Sequence, residues 1–257
     1  YTVLQDGSDY FVAGVQTDLT VNSADNVLLK IDSAGNRLWQ KYYGVSGLME
    51  YTKSILKLNN GNLMLGSFKN DFNQTHEHSY TWLLEVNDTG GIVRQWFDPN
   101  DSTYATEGLK QTQDSGFIYG AQKKFLQTVN DVYKTATIVK MDYNFNKQWT
   151  FNDGDYNDIT GIYDIEELPD GSFVGCGNKP VYNGDPSVVS GWVVKLSSNG
   201  SVIWNKVYRG INASQTINQL TDIDVLPDGN LIAVGQCQQS GATHPQVGWF
   251  LKLDSNG

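Results

Sequence analysis

Five near-copies of one short apolar motif divide this 257-residue chain into five similar lengths. The copies are NVLLKID (26–32), TWLLEVN (81–87), ATIVKMD (136–142), GWVVKLS (191–197) and GWFLKLD (248–254). Their central charged residues are Lys30, Glu85, Lys140, Lys195 and Lys252, so the motif returns at a nearly constant interval. Self-similarity at a fixed period of about 50 residues is typical of proteins built from repeated structural units. We therefore expect one structural unit for each copy.

Each repeat contains four short runs that are typical of β-strands. In the fourth repeat these are IYDIEEL, SFVGCG, WVVKL and VIWNKVY, with Pro-Asp-Gly and Ser-Ser-Asn-Gly turns after the first and third runs. Turns of this composition connect antiparallel strands. β-branched and aromatic residues dominate the runs, and no stretch has a helical period with caps. The sequence therefore predicts an all-β protein made of small four-stranded sheets.

Small residues and tryptophans occupy fixed places in the repeats, and this indicates how the sheets are arranged. The second run ends in VAG, LGS, YGA, GCG or AVG, whereas the fourth run carries Trp39, Trp96, Trp149 or Trp204. The blades of a β-propeller crowd near the axis and spread toward the rim, which suits small residues inside and tryptophans outside. We predict a β-propeller with five visible four-stranded repeats, of which the last lacks its outer strand. The repeats are about 1–44, 45–99, 100–154, 155–210 and 211–257.

The turn before each tryptophan resembles a known repeat. In IDSAGNRLWQK (31–41) and LSSNGSVIWNK (196–206) a turn glycine precedes the tryptophan by four residues. This spacing resembles the tryptophan-docking repeat of pyrroloquinoline-quinone-type propellers, as in uncharacterised secreted or surface bacterial proteins. The resemblance implies a propeller in which tryptophans dock adjacent blades. It implies no quinone site, because the chain has no vicinal cysteine pair.

The charge and hydropathy of the chain limit its partners. The formal net charge is −10 at pH 7, so a nucleic acid backbone would be repelled and we expect no nucleic acid partner. No apolar run approaches the roughly 20 residues that span a bilayer, so we expect no membrane insertion of this segment. The residue usage and repeat type are typical of an extracellular or cell-surface protein. We expect one domain over 1–257, belonging to a longer chain; a disulfide between Cys176 and Cys237 stays open.

Strand order predicts where a ligand would bind. Because successive strands alternate in direction, the tight turns lie on one side of the sheets and the long, variable connections lie on the other. Aromatic side chains can stack on sugar rings while polar side chains bond the hydroxyls. The ligand-binding candidates on these connections are Tyr156, Tyr182, Asp185 and His244. The preferred hypothesis is a non-catalytic extracellular binding, adhesion or scaffold propeller for a glycan or a surface protein.

One connection has the spacing of a calcium-binding loop. Asp153, Asp155 and Asn157 stand at alternate positions, and Asp164 stands at the twelfth position. Alternate oxygens can turn toward one ion, but the sixth position, where a glycine is expected, is Asp158. Two alternatives therefore stay open. Either the protein has no cofactor and these residues serve ordinary turns, or the loop binds calcium.

Carboxylates on the first strands of two repeats give an alternative function. We call Asp164, Glu166, Asp222 and Asp224 the axial carboxylates, because first strands are innermost in a propeller; the second repeat carries Lys53 and Lys57 there. Such groups could act as general acid and base in a polysaccharide hydrolase or lyase. They could also simply face water in the axial channel. A third hypothesis is a purely structural filament or spacer component.

Overall fold

The computed structural model describes residues 2–18, 23–45, 48–71, 78–97, 103–128, 131–154, 160–180, 189–209, 218–238 and 246–257. The chain divides into two compact units, Tyr1–Gln111 (unit 1) and Thr112–Gly257 (unit 2). All regular structure within the described ranges is β-strand, which confirms the all-β prediction. A long apolar helix of the kind that crosses membranes is accordingly absent from those ranges.

Unit 1 contains two four-stranded antiparallel sheets followed by one strand. The strands are β1 (Thr2–Asp6), β2 (Asp9–Asp18), β3 (Ser23–Ile31), β4 (Arg37–Tyr43), β5 (Met49–Lys57), β6 (Leu63–Asp71), β7 (His78–Val86), β8 (Ile92–Phe97) and β9 (Thr103–Gln111). Strands β1–β4 pair in chain order, and so do β5–β8. A single parallel bridge between Ala24 and Met49 joins β3 to β5. These sheets correspond to the first two predicted repeats.

Unit 2 continues the same design. Its strands are β10 (Phe117–Thr128), β11 (Asp131–Met141), β12 (Lys147–Asp153), β13 (Gly161–Glu167), β14 (Phe173–Pro180), β15 (Val189–Leu196), β16 (Val202–Tyr208), β17 (Asn218–Val225), β18 (Leu231–Gln238) and β19 (Gln246–Leu253). Strands β13–β16 form a four-stranded antiparallel sheet in chain order, and their bounds agree closely with the four runs predicted for the fourth repeat. Strands β17–β19 form a three-stranded sheet, as expected for a repeat without its outer strand.

Three tryptophans of the fourth strands, Trp39, Trp149 and Trp204, lie against the turns of neighbouring sheets. Trp149 Nε1 donates a hydrogen bond to the carbonyl of Ser198 at 2.9 Å. In the same turn Gly200 has φ +83°, and a Cβ there would lie 2.7 Å from Trp149 Cδ2. Trp39 packs against Gly90 in unit 1 in the same way. The turn glycine therefore supplies both a left-handed backbone and the space that the indole occupies.

A shared irregularity in the first strands explains the small residues of the second strands. The pairing register shifts at one residue in β5, β13 and β17, between Thr52 and Ser54, Ile162 and Asp164, and Leu220 and Asp222. Opposite each shift the second strand places a glycine, namely Gly66, Gly177 or Gly235. A Cβ at Gly177 would lie 1.8 Å from the carbonyl oxygen of Gly161. Close approach of the two backbones thus requires glycine at Gly177 and at Gly235, whereas a Cβ at Gly66 would meet the side chain of Ser54.

The charged residue in the repeated motif forms an ion pair in every repeat. The lysine pairs are Lys30–Asp9, Lys140–Asp114, Lys195–Asp170 and Lys252–Asp228, with N–O distances of 3.1, 2.8, 4.0 and 3.7 Å. Glu85 breaks the series and pairs with Arg94 on the neighbouring strand. The buried charges of Lys140 and Glu85 are thereby compensated, whereas the exposed Lys252–Asp228 pair contributes little stability.

Candidate active site

Most of the residues predicted to bind a ligand or calcium lie outside the described residues. They are Tyr156, Tyr182, Asp185, His244, Asp155 and Asn157. Their roles stay predictions. The structure does describe Asp153 and the four axial carboxylates.

Both described residues of the calcium prediction are bonded to protein groups. Asp153, at the end of β12, accepts hydrogen bonds from Lys179 Nζ at 2.6 Å and from Asn205 Nδ2 at 2.8 Å. Asp164 is buried, and its Oδ2 accepts a hydrogen bond from the backbone N–H of Ile223 at 3.1 Å. Over the described ranges no three His, Cys, Asp or Glu residues form a group that could hold a metal ion. Calcium binding by this loop therefore stays a prediction.

The axial carboxylates do not share one environment. Asp164 contacts β17 between Asp222 and Asp224, both of which are exposed, and Glu166 is half-buried. Ser54 in unit 1 stands at the position of Asp164 in unit 2, directly after the bulge. Its Oγ donates a hydrogen bond to the carbonyl of Thr106 at 3.1 Å. Each of these two side chains bonds the backbone of the next first strand. The contact of Asp164 is therefore a structural link between sheets.

A buried carboxyl group that the sequence patterns did not indicate lies near the start of β5. The side chain of Glu50 is fully buried, and its Oε1 accepts a hydrogen bond from Val45 N at 3.1 Å. Its Oε2 has no hydrogen-bond partner in the part of the chain that the structure describes. Burial raises the pKa of Glu50 to about 7, against the opposing effect of Lys69. Near neutral pH this group can therefore hold and release a proton.

Lys69 lies opposite Glu50 on β6. Its Nζ is 3.7 Å from Glu50 Oε1 and 3.8 Å from the centre of the Trp82 ring on β7. Trp82 Nε1 in turn donates a hydrogen bond to Gln95 Oε1 on β8 at 3.1 Å. Burial lowers the pKa of Lys69, while the negative charge of Glu50 opposes that shift. Each strand of this sheet thus contributes one residue to the site.

Asp25 on β3 supplies a second carboxylate. A Cβ at Gly44 would lie 2.1 Å from Asp25 Oδ1, so this glycine leaves the space that the carboxylate occupies. The next residue, Val45, is the one that donates to Glu50. The negative charge of Asp25 also contributes to the raised pKa of Glu50. One carboxyl group with a raised pKa beside a second carboxylate is a combination that serves acid–base chemistry.

Other repeats place neutral residues at the position of Glu50. When the repeats are aligned on their shared motifs, Thr160 in the fourth repeat and Asn218 in the fifth stand where the second repeat has Glu50. Thr160 Oγ1 accepts a hydrogen bond from Ala136 N at 2.6 Å, and Asn218 Nδ2 donates to the carbonyl of Val189 at 3.2 Å. A neutral side chain is therefore sufficient to bond the neighbouring backbone. Alignment of these positions is the sequence signal that could have revealed Glu50.

The lysine, tryptophan and amide of the site recur in unit 2. Lys179, Trp192 and Asn205 stand at the positions of the fourth repeat that match those of Lys69, Trp82 and Gln95 in the second. Lys179 Nζ lies 5.4 Å from the Trp192 ring centre, and Trp192 Nε1 donates to Asn205 Oδ1 at 2.6 Å. Here the acid is Asp153, and both of its oxygens are already bonded. Unit 1 therefore differs in that its acid, Glu50, has one carboxyl oxygen without a hydrogen-bond partner among the described residues.

The fold is similar to that of proteins of known structure. No protein-family model and no curated protein matches the chain. A protein of unknown function from Dyadobacter fermentans is similar at 11% identity and a TM-score of 0.60, over 93% of this chain and 74% of that one. A thermostable family-43 glycoside hydrolase is similar at 12% identity and a TM-score of 0.51, over 97% of this chain and 87% of that one. These likenesses are likenesses of fold.

The comparison corrects the preferred functional hypothesis. The sequence favoured a non-catalytic binding, adhesion or scaffold propeller, whereas the fold is shared with a glycoside hydrolase over nearly the whole chain. That hypothesis is contradicted, and the alternative, a polysaccharide hydrolase or lyase, agrees better with the comparison. The resemblance to pyrroloquinoline-quinone-type repeats gains no support from a family model.

Proposed function

We propose that this chain is a polysaccharide hydrolase or lyase whose sheets are the blades of one β-propeller. The fold likeness to a family-43 glycoside hydrolase supports the class. The observation that carries the proposal is Glu50, a fully buried carboxyl group whose pKa is about 7 and whose Oε2 is uncommitted among the described residues. An extracellular or cell-surface location, expected from the sequence, would give access to such a substrate.

Cleavage of a glycosidic bond by water needs two carboxyl groups. One protonates the oxygen of the leaving sugar, and the other activates a water molecule or attacks the sugar carbon. Glu50 has no exposed surface in this structure, so the groups that cover it must first move apart; in its protonated form it then gives its proton to the glycosidic oxygen as the C–O bond breaks. Asp25 accepts a proton from the water that attacks the sugar carbon. When the product leaves, the proton on Asp25 passes through water to Glu50, and both groups return to their starting states.

Two features of the site suit Glu50 to the role of acid. A general acid works best when its pKa lies near the working pH, and burial places the pKa of Glu50 there. The ammonium group of Lys69, 3.7 Å from Oε1, stabilises the carboxylate that remains after the proton has been given up. Hydrolysis is therefore the reaction that this arrangement favours.

A reducing-sugar assay on a panel of plant and bacterial polysaccharides tests the proposal. We expect the wild-type protein to release sugar, and both Glu50→Gln and Asp25→Asn to lower the rate by about 100-fold or more. Asp222→Asn, at an exposed position, is the matched control and should retain activity. Thermal unfolding checks that each variant is folded.

The assay separates the possible outcomes. Loss of activity in Asp222→Asn together with full activity in Glu50→Gln would show that the axial carboxylates, and not Glu50, are the catalytic groups. Ultraviolet absorbance from an unsaturated product would identify elimination by a lyase. Absence of any cleavage over the panel contradicts the proposed function.

A further inference from the structure

The ammonium group of Lys69 is held in place by aromatic rings. Only 7% of the residue is exposed. Its Nζ lies 3.8 Å from the ring centre of Trp82 and 5.8 Å from that of Phe97. Trp82 is itself buried and is fixed by its hydrogen bond to Gln95. An ammonium group over aromatic faces gains cation–π attraction, so its place opposite Glu50 is set by the sheet.

The strength of the acid–lysine contact differs between the two units. In unit 2 Lys179 lies 2.6 Å from Asp153 Oδ1, and a further hydrogen bond fixes Oδ2. In unit 1 Lys69 lies 3.7 Å from Glu50 Oε1. Both oxygens of Asp153 are thus bonded, whereas Glu50, at a buried site, keeps one oxygen without a hydrogen-bond partner among the described residues. Lys69 is therefore suited to shift the proton equilibrium of Glu50 while both protonation states of Glu50 stay accessible.

We propose that Lys69 is a positioning residue: held by Trp82, its ammonium group determines the pH range in which Glu50 can exchange its proton. This inference rests on the proposed function, in which Glu50 is the proton donor. Lys69 acts on the reaction through Glu50, without contact to the substrate.

Other charges near β5 have different roles. Asp25 on β3 acts on Glu50 in the opposite sense to Lys69, because its negative charge disfavours the carboxylate. The other ion pairs that involve β5 and the strands packed against it are Lys57–Asp6, Lys53–Glu107 and Lys30–Asp9. Within the described residues, Lys69 is thus the cation whose charge acts on Glu50.

Titration of Glu50 by carbon-13 NMR, in protein labelled at the glutamate carboxyl carbon, tests this role directly. We expect a wild-type midpoint near the pKa of about 7. Lys69→Met should raise the midpoint by about 1 to 2 pH units, because the cation beside the carboxylate has been lost. Lys69→Arg, which keeps the charge, should restore it. Lys179→Met removes the matching lysine of unit 2 and should leave it unchanged.

The pH–rate profile gives a second readout. Since Glu50 acts in its protonated form, the alkaline limb of the profile should move to higher pH in Lys69→Met, by the same amount as the NMR midpoint. If Lys69→Met does not fold, Trp82→Phe removes the hydrogen bond to Gln95 and should raise the midpoint by a smaller amount. An unchanged Glu50 midpoint in folded Lys69→Met or, in its place, Trp82→Phe overturns the inference even if cleavage is found. Lack of cleavage by the wild type overturns the proposed function and leaves the NMR readout intact.

Discussion

Gly200 lies so close to Trp149 that a Cβ on the glycine would be 2.7 Å from Cδ2 of the indole. The two residues belong to neighbouring sheets of unit 2, and the indole N–H also bonds Ser198 in the same turn. The tryptophan of one repeat and the turn of the next are therefore one packing unit.

Gly200→Ala should accordingly lower the free energy of unfolding by about 2 to 4 kcal/mol, from backbone strain plus the clash. Gly171→Ala is the matched control. Gly171 has φ +77°, and a Cβ added there would meet nothing within 4 Å, so only the backbone strain of about 1 kcal/mol applies. Urea unfolding of both variants measures the difference. Equal losses would show that the indole contact adds nothing.

The lysine–aspartate pairs should differ in strength with their burial. Burial of Asp114 disfavours its ionisation, but hydrogen bonds from Lys140 and Thr112 keep its pKa below the ordinary value. Asp114→Asn leaves the buried Lys140 ammonium without its counter-charge and should cost about 2 kcal/mol. Asp228→Asn affects an exposed pair at 3.7 Å and should cost less than about 1 kcal/mol. Denaturant midpoints of the two variants check this order.

Glu50 should make the protein less stable as the pH rises. Its pKa is raised from 4.5 to about 7 in the folded state, so between these values the folded protein binds more protons than the unfolded chain. Stability from this group is therefore complete below about pH 4.5 and falls by about 3 kcal/mol as the pH passes 7. Urea unfolding at about pH 5 and about pH 8 measures the change. Glu50→Gln should lack this pH dependence, and a wild-type protein without it would contradict the raised pKa.

Asp164 should behave as a structural residue. Asp164→Asn keeps an oxygen that can accept the hydrogen bond from Ile223 N and should cost less than about 1 kcal/mol. Asp164→Ala removes the acceptor from a buried N–H and should cost about 1 to 3 kcal/mol. Unfolding experiments, run beside the reducing-sugar assay, measure both effects. A stable Asp164→Asn protein without activity would instead indicate a catalytic role.

Repeat boundaries and strands could be predicted because they depend on local pattern. The runs read in the fourth repeat correspond to β13–β16, since alternation of residue types and turn composition act over a few residues. The position of Glu50 could not be read in this way. Its burial depends on how β3, β5 and β6 lie together, and nothing within residues 45–57 reports the position of Lys69 or Asp25.

The calcium prediction at Asp153 shows that contacts between distant parts of the chain cannot be read from the sequence. Its spacing to Asp155 and Asn157 indicated a calcium loop, because the sequence shows neighbours along the chain. Its observed partners are Lys179 and Asn205, which lie 26 and 52 residues away. Only the pairing of strands brings these groups to Asp153.

The repetition of Lys69 and Trp82 as Lys179 and Trp192 has an evolutionary consequence. A repeat protein has several equivalent positions, so one repeat can change a residue while the other repeats maintain the fold. Unit 2 keeps the lysine and the indole but has Thr160 where unit 1 has its buried acid. The position that matches Asp25 is Thr135, so both acids of the proposed reaction are missing from this copy, and Thr160 and Thr135 together are the starting points for building a second centre by design.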